Sequence, residues 1–327
     1  MRDLNTLPKA HLHIHLEGGM RPETLKELAD ESGRQVPPVR GFEGFAAFAE
    51  MYVAACAVLD TEARMRRTVR EVVEDAARDG VVWIEPAFYA PRYRDVFGSD
   101  RAATEIVLDE LKSSGERLGV GTGLIVAADR TVDPAEAEDQ ARMAAALAGC
   151  GVIGLGLAND ETFWPPEPFA PAFSIALDAG LLSLPHGGEL LGPASVAACL
   201  DACGAHRVMH GVRAVEDLDL LRRIADDGVC LDVCPTSNVA LSVVARLEDH
   251  PLRQLIDAGV MCSINADDPL LFGPGICEEY ELCRDRLGLS DTDLAQVAQW
   301  SLEASAAPMD VIDRHVAAIE AWLASSP

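Results

Sequence analysis

The stretch His11-Leu12-His13-Ile14-His15-Leu16-Glu17-Gly18-Gly19, residues 11–19, decides how this chain is read. Alternate residues of a β-strand face the same way, so His13 and His15 point together to one side. Leu12, Ile14 and Leu16 point to the other, where covering helices can bury them. Two imidazoles side by side at a strand end form half of a zinc-type site. A strand with unrelated histidines is the alternative for this stretch alone. The test is whether other strand ends supply matching ligands and an acid.

Working outward, runs rich in Val, Ile and Leu recur at 10–15, 81–87, 121–127, 152–158, 181–186, 207–210, 229–234 and 260–265. Their near-continuous apolarity suits parallel strands buried on both faces. Helix-like segments with charged faces lie between them, at 61–78, 133–148, 215–227 and 308–324 among others. Gly80, Gly151, Gly180, Gly228 and Gly259 each precede a strand run, where a glycine ending the previous helix is expected. Eight βα units predict an α/β fold of the (β/α)8 TIM-barrel type, with residues 1–327 as one domain. A doubly wound open sheet is the second choice, and no G-x-G-x-x-G follows the first strand to support it. Residues 21–59, with Val36-Pro37-Pro38-Val39 inside, are long for one connection and read as extra lid helices after strand 1. The four-proline stretch 163–171 reads as a rigid rim.

Composition narrows the partners. Of 327 residues, 27 are basic and 53 acidic, a formal net charge of -26. Such a surface repels phosphate backbones and anionic lipid, so a small molecule is expected, with no nucleic acid and no membrane surface. Nine cysteines without a C-x-x-C pair read as reduced, mostly buried thiols. No stretch of 18 apolar residues and no apolar leader in Met1–Lys9 are present, so a cytoplasmic protein is expected. Oligomeric state is not legible.

Active sites of such barrels lie at the C-terminal strand ends, which makes the polar residues there informative. Strand one ends in His13, His15 and Glu17, strand five in His186-Gly187-Gly188-Glu189, strand six at His210, and strand eight in Asp267-Asp268-Pro269. His13, His15, His186 and Asp267 offer three nitrogens and a carboxylate to one Zn2+ per chain. An ion with a position left for water lowers that water's pKa to about 7. Glu189 then reads as general acid or base, and His210 as the group that orients or deprotonates the water. Asp268, next to a ligand but pointed elsewhere, reads as an acceptor of a hydrogen bond from substrate. His11 reads as a packed core histidine; His206, His250 and His315 read as surface residues. Glu85 reads as a structural partner for a buried Arg or His, and Asp160-Glu161 as loop charges or site residues with equal weight.

These motifs resemble the adenosine deaminase branch of the amidohydrolase superfamily over nearly the whole chain. Pro8-Lys9 followed by His13-x-His15-Leu16-Glu17-Gly18 is similar to its opening metal motif, and His186-Gly187-Gly188-Glu189 to its H-A-G-E signature. His210-Gly211-Val212-Arg213 resembles the G-H-G segment, Cys234-Pro235-Thr236-Ser237-Asn238 the C-P-x-S-N segment, and Ser263-Ile264-Asn265-Ala266-Asp267-Asp268-Pro269 the S-x-N-T-D-D-P motif. The resemblance implies hydrolytic deamination of a 6-aminopurine by zinc-bound hydroxide. Glu189 would protonate N1, His210 and Asp267 would handle the water's proton, Asp268 would hold N7, and the backbone N–H of Asn159 would contact N3. It differs from the cytidine-deaminase type with its H-x-E and P-C-x-x-C pair.

Departures bear on the substrate. Glu17 stands where animal relatives carry an aspartate that contacts the sugar, and a glutamate there resembles the adenine deaminase and aminodeoxyfutalosine deaminase branches. Asn159 and Met209 replace family glycines, Ala87 lies near a family arginine, and the Phe88-Tyr89-Ala90-Pro91 rim is unusual. The leading expectation is therefore adenosine or 2′-deoxyadenosine converted to the inosine-type product and ammonia. The same chemistry on adenine or a 5′-modified adenosine comes second. A non-catalytic purine-binding paralogue is less well matched, because it would need neither Glu189 nor His210. Metal-dependent ester hydrolysis is disfavoured by a fourth strand ending in Ala158-Asn159 without a lysine.

Overall fold

A computed structural model describes residues 1–36 and 38–325, so Pro37 of the expected Val36–Val39 turn and residues 326–327 of the expected domain lie outside the described residues. Eight strands alternate with helices: β1 (Lys9–His15), β2 (Val81–Phe88), β3 (Leu124–Asp129), β4 (Val152–Ala158), β5 (Leu182–Gly187), β6 (Arg207–His210), β7 (Cys230–Val233) and β8 (Cys262–Ile264). Each pairs in parallel with the next. The ring closes where Ile14 bridges Asp267, with the His15 N–H donating to the Asp267 carbonyl at 3.1 Å and the Asp267 N–H to the His13 carbonyl at 3.2 Å. This is the expected TIM barrel.

Local differences from the sequence reading are few. The expected strand 121–127 is interrupted: Gly121–Thr122 pairs with β2, and β3 begins only at Leu124. A side chain at Gly121 would strike Trp83 at 2.3 Å, so the barrel wall passes too close there for anything larger. The rim stretch 163–171 is partly helical, with a 3-10 turn at Glu167–Phe169 that buries Phe169. Its last residues open a helix at Ala170.

Two apolar regions hold the barrel. Inside it, Ala87, Ile125, Leu184 and Met209 from four strands form one buried layer. Outside, the opposite strand faces pack on the helices, including α1 (Pro22–Ser32), α2 (Gly44–Cys56) and α3 (Glu62–Arg78). Burial of this apolar surface supplies the main driving force. Of the nine cysteines eight are buried, and all are free.

The barrel floor is polar and fully buried. Arg207 Nη2 donates to Glu85 Oε2 at 2.6 Å and its Nε to Asp232 Oδ2 at 2.9 Å. Asp232 also accepts from Ser263 Oγ, Ser263 from Asn265 Nδ2, and Asn265 Oδ1 accepts from the Leu12 and His13 N–H groups. Glu85 thus pairs with a buried arginine, as its sequence position indicated. The network ties the strand that carries His13 to β6, β7 and β8, and buried ions are tolerated when their hydrogen bonds are this complete.

Candidate active site

Backbone strain gathers at the C-terminal mouth. Asn159, His210 and Asp267 adopt positive φ of 80°, 67° and 58°, a region that non-glycine residues enter at a cost of about 1–3 kcal/mol. Each follows or ends a strand, and all three line the cavity at this mouth. Gly18 is required by close approach, since a Cβ there would lie 1.8 Å from Asp268 Oδ1. Gly188 has φ +65°, and a Cβ there would meet Val196 at 2.2 Å. Glycine at 188 thus lets the turn from His186 to Glu189 lie against the helix that follows it.

These bends bring the expected ligands together. Ligand atoms of His13, His15 and His186 lie within 4.8 Å of one another. Asp267 Oδ1 lies 3.4 Å from His13 Nε2 and 3.4 Å from His15 Nε2. His13 Nδ1 faces the Asp232 carbonyl at 3.1 Å, which places its proton on Nδ1 and leaves the Nε2 lone pair for the cluster. His13 Nε2 is buried with no hydrogen-bond partner among the described residues. A buried nitrogen so left is what a ligand-binding atom looks like before its ligand arrives. Three imidazoles and a carboxylate are the donor set of a zinc site, so the residues fit that ion.

The acid–base groups adjoin this cluster. His210 Nε2 lies 3.4 Å from Glu189 Oε1 and 3.8 Å from Asp267 Oδ2. Ser237 Oγ donates to Asp267 Oδ2 at 2.7 Å. Burial pushes Glu189 well above the usual carboxylate range, reinforced by the charges of Asp267 and Glu161. Burial also raises Asp268 well above its ordinary value, with Asp267 beside it adding to the effect. Both Asp268 oxygens are buried without a partner among the described residues. Burial alone would raise Asp267, but the imidazoles around it, His13 foremost, outweigh burial and lower it well below the usual carboxylate range. A bound divalent cation would pull carboxyl values down and so act against the first two shifts.

Other residues have roles that the sequence reading left open or misplaced. Glu161 is buried, and its carboxylate accepts from the N–H groups of Gly188 (2.7 Å), Glu189 (3.1 Å) and Leu191 (2.8 Å) and from Ser195 Oγ. It pins the turn that carries Glu189, which settles the open reading of that loop charge. Asn159 Nδ2 donates to Asp129 Oδ2 at 3.0 Å. Glu17 is buried between two phenols: Tyr52 donates to Oε2 and Tyr93 to Oε1, each at 2.9 Å. Neither tyrosine carried a motif signal. His11 is buried, accepts from the Ala266 N–H at 3.2 Å and is lowered by burial to about 3, as a core histidine should be. His206 is exposed and His315 half-buried. His250, expected at the surface, is instead buried, and its imidazole has partners on both nitrogens, Asn238 Oδ1 at Nε2 and the Leu252 N–H at Nδ1.

The cluster opens into a cavity of about 100 Å³. Ala87, Ala127, Ala128 and Ala158 form its walls, and Phe45, Phe48 and Tyr52 of α2 overhang it. Phe48 stacks on Phe272 at 5.1 Å, anchoring α2 to the short helix Pro269–Phe272 that follows β8. Arg92 also lines the cavity, its guanidinium 5.5 Å from the Tyr52 ring and 5.8 Å from Tyr89. It has no carboxylate within ion-pair distance among the described residues, and its Nε is buried without a partner.

Comparison with known proteins agrees with this geometry. The adenosine deaminase family model matches residues 8–322. The chain is 45% identical to a putative adenosine/adenine deaminase of Streptomyces coelicolor, across 99% of this chain and 98% of that one. It superposes with a TM-score of 0.92 on an adenine deaminase from Arthrobacter aurescens, 30% identical, covering 97% and 99% of the two chains. An amidohydrolase from Burkholderia ambifaria with bound zinc superposes at 0.86, with 26% identity and 98% and 94% coverage. Among the described residues no helix is long and apolar enough to cross a membrane. The chain therefore belongs to the adenosine deaminase family and is a hydrolytic deaminase of the amidohydrolase superfamily.

Proposed function

We propose that this protein uses one zinc ion, held by His13, His15, His186 and Asp267, to replace the 6-amino group of a 6-aminopurine by oxygen, releasing ammonia. The observation that carries the reading is the buried convergence of three imidazoles, Asp267, Glu189 and His210 at one end of the barrel. Zinc in the related Burkholderia ambifaria amidohydrolase supports the choice of metal. When bound, such an ion supplies the Lewis acidity that makes hydroxide available near pH 7. Glu189, whose carboxyl burial pushes above its ordinary range, gives its proton to ring N1 and makes C6 electrophilic. Asp267, lowered well below the usual carboxylate range, accepts the proton of the attacking water and returns it to the departing amine, which leaves as ammonia. His210 orients the nucleophile, and protonated Asp268 donates to N7. The Asn159 N–H is placed to meet N3.

The geometry favours free adenine as the substrate, ahead of adenosine or 2′-deoxyadenosine. Glu17, held by Tyr52 and Tyr93, is not among the described residues that line the cavity, so it is not placed to receive sugar hydroxyls. The cavity of about 100 Å³ is also small beside the roughly 300–1,000 Å³ usual for drug-sized ligands. The adenine deaminase activity named for the Arthrobacter aurescens relative points the same way. A second reading, a nucleoside extended at its 5′ position by an acidic group, is favoured by Arg92, a cation on the cavity wall without an ion-pair partner among the described residues.

Ammonia release from adenine, adenosine, 2′-deoxyadenosine and adenosine-5′-carboxylate, measured in parallel, separates these readings. Adenine should give the highest kcat/KM. A lead of the 5′-carboxylate that Arg92→Ala abolishes would install the second reading, and a lead of adenosine would restore the nucleoside. No turnover of any aminopurine would favour a purine-binding protein.

A further inference from the structure

His250 and Asn238 form a directed chain of hydrogen bonds that ends on His210. The Leu252 N–H donates to His250 Nδ1 at 3.2 Å. A ring nitrogen that accepts a backbone N–H must keep its lone pair, so the proton of neutral His250 sits on Nε2. Burial lowers His250 to about 4, which keeps it neutral near pH 7. Its Nε2 lies 3.1 Å from Asn238 Oδ1. An amide turned the other way would set an N–H against an N–H, so this contact selects the orientation of Asn238. Asn238 Nδ2 then faces His210 Nδ1 at 3.2 Å. With Nδ1 accepting, the single proton of neutral His210 lies on Nε2, the nitrogen 3.4 Å from Glu189 Oε1. A backbone N–H cannot reverse its polarity, so the direction of the whole chain is set at Leu252.

We propose that His250 is a positioning residue that works through Asn238 to hold His210 as its Nε2–H tautomer, so that His210 presents a donor rather than a lone pair to the reaction centre. The proposal rests on the reading of His210 as an active-site group. It narrows the two roles open to that residue: a neutral imidazole with its proton already on Nε2 orients the nucleophile and does not deprotonate it there. It also accounts for a buried histidine, 40 residues from His210 in sequence, that touches neither cavity nor metal cluster.

The test uses full-length, zinc-loaded enzyme with 15N-labelled histidine, reading the His210 tautomer from long-range proton–nitrogen NMR spectra beside kcat, KM and zinc content. Wild type should show a protonated Nε2. Asn238→Asp supplies only acceptors and should draw the His210 proton to Nδ1. It should lower kcat by about 10²–10⁴-fold, the range that misplaced acid–base groups cost, with KM and zinc content close to wild type. His250→Gln retains an N–H donor toward Asn238 and should stay within about tenfold of wild-type kcat, whereas His250→Phe should fall further. If the aspartate variant does not fold, the two His250 variants decide the matter. An unchanged His210 tautomer in Asn238→Asp, or in His250→Phe where the aspartate variant fails, overturns the proposal whatever happens to kcat. A changed tautomer with full activity would leave the relay standing and remove His210 from the reaction, a failure of the underlying functional reading.

Discussion

Replacing Glu161 by glutamine would test how the catalytic turn is held. The wild-type carboxylate accepts four hydrogen bonds, three of them from the backbone of Gly188, Glu189 and Leu191. In the best orientation of the amide, its oxygen keeps the Glu189 and Leu191 N–H groups and its NH₂ donates to Ser195 Oγ. The Gly188 N–H is then left buried without an acceptor, at a cost of about 1–3 kcal/mol, and the two remaining bonds lose their charge assistance. The sum is about 2–4 kcal/mol. With an unfolding entropy of about 2.1 cal/mol/K per residue, that corresponds to a Tm lower by roughly 3–6 °C for a chain of 327 residues. Because a displacement of about 1 Å at a catalytic group can cost about 10²-fold, kcat should fall by a similar factor while zinc content is retained. Differential scanning calorimetry and steady-state kinetics on one preparation measure both. A Tm within one degree of wild type together with kcat within twofold would refute this account of Glu161.

Two further outcomes are expected. Glu189→Gln should keep its zinc and lose about 10²–10⁴-fold in kcat, and near-full activity would remove Glu189 as the proton donor to N1. Glu279, buried and pushed up to about 8 from an ordinary 4.5 by burial, is held neutral in the folded protein while it ionises readily in the unfolded chain. The unfolded state therefore binds fewer protons between those values, and stability falls as pH rises from about 4.5 to about 8. Glu279→Gln should gain in Tm relative to wild type at pH 8 compared with pH 5, and parallel curves would contradict this.

Much of the site is legible in the sequence because its residues sit at strand ends in short motifs. A strand's two-residue alternation puts His13 and His15 on one face by local geometry alone, and the TIM-barrel rule then predicts that His186, His210 and Asp267 converge with them. That residues 21–59 are too long for one connection is visible from length, and α1 and α2 occupy that segment. What cannot be read is the supporting layer. Tyr52 and Tyr93 reach Glu17 from helical segments 35 and 76 residues away, and nothing local marks them. His250 reads as a surface residue because a lone histidine beside charged neighbours has no periodicity that would reveal burial. Glu161 follows Asp160 in a polar loop, and only the folded path shows that its carboxylate turns inward to collect backbone donors. Such contacts join distant segments and are decided by tertiary packing.

The most direct test of the central claim is the zinc content of wild type and of His186→Ala after dialysis against metal-free buffer, with turnover measured on the same samples. Sharing of one ion by His13, His15, His186 and Asp267 predicts about one zinc per chain in wild type, and loss of both metal and activity in the variant. A His186→Ala protein that keeps about one zinc per chain, or a wild type that turns over aminopurines fully after its metal is stripped, would contradict it.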